Sequence, residues 1–88
     1  MSNAHTIPAT PGTKVVIEGL RGMFPGVIVS SFKGDRTIDV KVTVAYYDLP
    51  KGTIVTKFVN CVHPRENWNR KRGTVRPVAW ELGLTSVK

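Results

Sequence analysis

The chain has 88 residues, 41% of them hydrophobic, and a formal net charge of +7. That length holds one small domain with a single core, and it excludes a large layered fold. A lone cysteine, Cys61, excludes an intrachain disulfide, and no apolar run approaches membrane-spanning length, so a reducing, cytoplasmic setting away from the membrane is expected.

The first stretch, MSNAHTIPATPG, has no early positive charge and no apolar run, so it does not read as a secretory signal. Its Pro, Ser, Thr and Asn content makes residues 1–12 a flexible lead-in, with the folded domain expected over residues 13–88.

The body reads as strands rich in β-branched residues and bounded by Gly, Pro or Asp. They are Lys14–Glu18, Gly26–Phe32, Thr37–Tyr47 and Gly52–Val62. The third is the clearest: Ile38, Val40, Val42, Val44 and Tyr46 alternate with Asp39, Lys41, Thr43 and Ala45, the period of a half-buried strand. A two-residue turn at Gly34-Asp35 pairs Val29 with Val40 and Val27 with Val42. A loop centred on Pro50 pairs Val44 with Thr56 and Val42 with Phe58. Both turns then place the even face of the third strand on one side. The predicted core is Val27, Val29, Val40, Val42, Val44, Ile54 and Phe58. The fold expected is mostly β, a small antiparallel barrel of about five strands. Val75 to Leu84, with Trp80, Leu82 and Leu84, folds back over it as a short helical turn between Pro77 and Gly83, or Thr74 to Trp80 forms a final strand, the remaining alternative being a subunit interface on that face. Tyr46 belongs to the apolar set, whereas Tyr47 points to the other face, where a surface groove is available to it.

The run Val16-Ile17-Glu18-Gly19-Leu20-Arg21-Gly22-Met23-Phe24-Pro25-Gly26-Val27-Ile28 resembles the KOW motif of SH3-like barrels. Gly19, Arg21-Gly22 and Gly26 stand where that family places its glycines and basic-Gly pair, with the inner spacing shifted by one. The resemblance covers the first third of the folded part. It implies an SH3-like barrel and raises RNA or ribonucleoprotein partners as an expectation.

Charge is concentrated toward the C-terminus. His63 to Pro77, HPRENWNRKRGTVRP, holds Arg65, Arg70, Lys71, Arg72 and Arg76 against one acid, Glu66, with Trp68 in the middle. Cations neutralise phosphates and an indole face stacks on a base, so this segment is the candidate nucleic-acid contact. Arg21, Lys33 and Arg36, in turns of the predicted strands, are accessory candidates. Trp68, surrounded by polar residues, is either an exposed stacking ring or a pin holding the loop to the barrel.

Catalysis is poorly supplied. Glu18, Asp35, Asp39, Asp48, Glu66 and Glu81 form no recognisable acid–base pair. Cys61 and His63 share a strand face, but no second Cys or His cluster completes a metal site, and no cofactor is implied. The leading function is therefore a non-enzymatic nucleic-acid-binding barrel for RNA or single-stranded DNA. The alternatives are a protein-interaction module, such as a phage-type accessory subunit docking on a larger machine, and an oligomeric barrel whose site forms on assembly.

Overall fold

Runs of β-branched residues broken by Gly and Pro build nine short strands, and the computed structural model describes residues 6–84. The strands are β1 (Thr6–Pro8), β2 (Lys14–Gly19), β3 (Gly22–Phe32), β4 (Thr37–Val42), β5 (Ile54–Phe58), β6 (Val62–Pro64), β7 (Trp68–Asn69), β8 (Thr74–Val75) and β9 (Ala79–Glu81). Two single-turn 3-10 segments, Val59–Cys61 and Arg65–Asn67, flank β6. The main sheet has the order β5-β4-β3-β2-β6, with every neighbouring pair antiparallel. Its two edges, β5 and β6, are not hydrogen-bonded to each other, so the sheet is open rather than a closed barrel. No helix among the described residues is long and apolar enough to cross a membrane.

The core lies on one face of that sheet. Val15 and Ile17 from β2, Phe24 and Ile28 from β3, Ile38, Val40 and Val42 from β4, and Val62 from β6 are all buried. Ala9, Trp80 and Leu82 close the cluster from the two ends of the chain. Gly26 admits this packing: a Cβ there would stand 2.5 Å from Val40 Cγ1 and 2.9 Å from the Lys41 carbonyl oxygen.

The even face of β4 is buried as its alternation requires, but the strands beside it differ from expectation. β3 starts at Gly22, because Pro25 sits where the β3–β4 ladder has ended and no donor is demanded of it. A bulge at Val29 separates the Ile28–Val40 pair from the Ser30–Asp39 pair. The extra residue changes which side chains face inward. Phe24, Ile28 and Ser31 are buried, while Val27 and Val29 are only half-buried. The turn is also longer than two residues: Phe32 pairs with Thr37, and Arg36 takes a φ of 57°.

The second correction is larger. β4 stops at Val42, whose carbonyl and N–H bond Gly52 and Thr53 (2.7 and 2.8 Å), and the chain between them closes on a Tyr46–Leu49 bridge. Asp39, not Val44, therefore faces Thr56, an odd shift from the expected register, and an odd shift exchanges the faces of a strand. Ile54 and Phe58 are exposed at 54% and 65%, Val44 is exposed, and Val55 and Val59 pack on the core instead.

The termini are more ordered than composition implies. Within the expected lead-in, β1 pairs in parallel with β9 and Ala9 is fully buried. The C-terminal segment takes the strand alternative, as β8 and β9, and no helical turn forms there. Trp80 packs against the core and donates its indole N–H to the Val62 carbonyl at 2.9 Å. Leu84 and Ser31 bond through backbone and hydroxyl, which ties the last described residue to β3.

Candidate nucleic-acid interface

The basic segment folds as a small hairpin projecting from the Lys14 end of β2. Its antecedent, β6, pairs Pro64 with Val15, which fixes that position. Trp68 then pairs with Val75 and Asn69 with Thr74. Asn69 shapes the turn: its side-chain oxygen accepts the Arg72 N–H (3.1 Å) and its carbonyl accepts that of Gly73 (2.8 Å). Gly73 takes a φ of 66°, where a Cβ is disfavoured. At the base, Asn67 and Arg76 exchange bonds through the Asn67 amide, the Arg76 carbonyl and their backbones.

This geometry puts Arg70, Lys71 and Arg72 at the hairpin tip, all exposed, with exposed Arg76 and Arg65 at its base. None of the five pairs with a carboxylate among the described residues, where the one contact at that distance is His63 with Glu18. The Arg70 guanidinium lies 5.1 Å above the Trp68 ring. Trp68 is half-buried, and its indole nitrogen is enclosed without a hydrogen-bond partner. The ring is thus packed within the hairpin and covered on one face by a cation.

The accessory cations divide. Lys33 and Arg36 sit in the β3–β4 turn, and Arg36 borders a groove of about 300 Å³ shared with Pro77 to Trp80, just past the hairpin. Arg21 lies elsewhere, in the β2–β3 turn beyond Gly19. The full length of β2 separates that turn from the hairpin, roughly 15 Å at strand rise.

Around Arg21 the structure assembles a second site. A groove of about 640 Å³ is lined by the β2–β3 turn, Phe24, Lys57 and the Tyr46–Leu49 turn. Tyr46 stacks on Phe24 with centroids 4.2 Å apart. Its hydroxyl accepts the Arg21 N–H at 2.9 Å and donates to the Gly22 carbonyl at 3.3 Å, so the two turns are clamped together. Gly19 permits the clamp, since a Cβ there would come within 2.5 Å of the Tyr46 oxygen. Tyr47 stands edge-on to Tyr46 at 4.8 Å, and the Arg21 guanidinium lies 4.7 Å above its ring. The groove expected beside Tyr47 is present, and Tyr46, expected in the apolar set, packs against the core at its base.

The Cys61–His63 pair separates in the fold. Cys61 sits on a 3-10 turn, whereas His63 is buried on β6 with Nε2 2.6 Å from Glu18 Oε2. No cluster of three metal-ligating side chains occurs among the described residues.

No protein-family model matches this chain, and no curated protein or solved structure matches it.

Proposed function

We propose that this chain is a non-enzymatic nucleic-acid-binding module on an SH3-like barrel scaffold, binding RNA or single-stranded DNA through the 67–76 hairpin. The observation that carries this reading is the hairpin tip, where Arg70, Lys71 and Arg72 are exposed, free of carboxylate partners among the described residues, and set beside a Trp ring. Exposed cations release counterions from a phosphate backbone, and an aromatic–cation surface accepts unpaired bases of any sequence. Arg65, Arg76 and Arg36 extend the positive surface from the hairpin base.

The scaffold reading rests on the strand order β5-β4-β3-β2-β6 and on the 3-10 turn joining the two edge strands. That order supports an SH3-like scaffold, and the KOW-like glycines fall on β2 (Gly19) and β3 (Gly22 and Gly26), with Arg21 in the turn between them. An unpaired thiol at Cys61 suits a reducing cytoplasm.

The test is salt-dependent binding to a single strand. With about four phosphates neutralised, log K against log salt has a slope of about −3, at ~−0.7 per phosphate. Replacing Arg70, Lys71 and Arg72 together by Ala flattens it. An unchanged slope rules out the hairpin as the contact.

One observation favours a protein partner as the second reading. Edge strand β5 exposes Ile54 and Phe58 beside an unpaired ladder, a surface on which another strand can add. Binding of a protein that survives nuclease treatment and is lost in Phe58→Asp supports this reading over the first.

A further inference from the structure

The groove at the opposite end of β2 from the hairpin has the makings of a ligand site of its own. Its floor is the Phe24–Tyr46 stack, and its walls are Leu20, which is fully exposed, and Tyr47, which is 65% exposed. Solvent-exposed aromatic surface has a hydration cost that a planar ligand removes. Tyr47 also holds a φ of 51°, a left-handed conformation that a bulky residue adopts only where the surroundings impose it. The Tyr46 clamp on Arg21 and Gly22 fixes the opposite wall, so the site is preformed.

Charge narrows the ligand. Two cations, Arg21 and Lys57, line the groove against one acid, Asp48. A cationic ligand meets their repulsion and must displace Arg21 from the Tyr47 ring. An anion does not. A guanidinium stacked on a ring keeps its in-plane N–H donors free for a phosphate. A planar group carrying a phosphate therefore matches both the aromatic surface and the cation that lies over one face of Tyr47.

We propose that this groove is a second contact site for single-stranded nucleic acid, which takes one unpaired base against Tyr47 and the adjoining phosphate on Arg21 and Lys57. The proposal rests on the nucleic-acid reading above but not on the hairpin. The two sites lie beyond opposite ends of β2, which alone spans roughly 15 Å, so a short oligonucleotide occupies one at a time and a longer one engages both, with the gain in avidity that linkage gives.

The experiment is an amide NMR titration of the full chain carrying Arg70→Ala, Lys71→Ala and Arg72→Ala, with a short oligouridylate as probe. The expected result is saturable shifts at Gly19 to Gly22 and Tyr46 to Leu49. Tyr47→Ala in the same background should weaken this binding roughly five- to hundredfold, the range for loss of one stacked base. Arg21→Ala, whose backbone bond to Tyr46 survives, supplies a second variant and should reduce the salt slope by about 0.7. Shifts absent from the groove overturn the proposal, as does a Tyr47→Ala variant, folded by its spectrum, that binds unchanged. Groove shifts produced as well by an acidic peptide as by the oligonucleotide overturn it in favour of protein docking. If the wild-type chain binds no oligonucleotide at either end, the nucleic-acid reading itself has failed. If only the groove is silent, the hairpin reading stands alone.

Discussion

The two ends of β2 hold cations and aromatic rings in opposite ways. At the Gly19 end, Tyr46 stacks on buried Phe24 and bonds the neighbouring turn, so the groove is continuous with the core. At the Lys14 end, the hairpin is built from two-residue strands, closed by its own Asn69 and Asn67 bonds, with an indole N–H left unpaired. Rings that share the core are fixed by folding itself. A satellite hairpin has few such contacts and is held by local bonds, which makes it adaptable and easily opened.

The largest effect that breaks this comparison is at Tyr46. Tyr46→Ala removes the stack and both clamp bonds, and should cost roughly 2–4 kcal/mol, read as a lowered chemical-denaturation midpoint. A loss below about 1 kcal/mol shows that the groove is not anchored in the core. Trp68→Ala should cost less, about 1–2 kcal/mol, because a half-buried ring in a satellite carries less contact. Hydrogen exchange should rise in residues 67–76 while the main sheet stays protected. Uniform loss of protection contradicts the satellite description.

A smaller effect sharpens the register. Phe58→Ala should change stability by no more than about 0.5 kcal/mol, as for an exposed site, whereas Ile28→Ala should cost about 2–5. Equal losses mean that β5 buries its even face after all.

That contrast also marks how much was legible in the sequence. The alternation in β4 announced its buried face, because side-chain period alone decides it. The Val29 bulge left no comparable signal, since it inserts one residue among similar ones, and with it the inward set of β3 was lost. The end of β4 is not legible because Val44 and Tyr46 prolong the same alternation into a loop. With that longer strand the expected register of β5 is wrong by an odd number, whereas the groove beside Tyr47 is foreshadowed by its place opposite the apolar set. β1 is not legible because Thr6 to Pro8 is only three residues long and its parallel partner lies near the far end of the chain. Local composition carries no record of such a pairing. The basic segment, by contrast, is visible as charge density, which needs no tertiary information, although its hairpin pairing is not.

The smallest structural effect carries the functional test. Replacing Arg70, Lys71 and Arg72 by Ala should leave stability within about 0.5 kcal/mol per site, since all three are exposed. The most direct measurement is the salt dependence of oligouridylate binding by wild-type and triple-variant protein. The account predicts a wild-type slope of about −3 that falls toward about −1 in the variant, as roughly three phosphate contacts at ~0.7 each are lost. Identical slopes for the two proteins would contradict it.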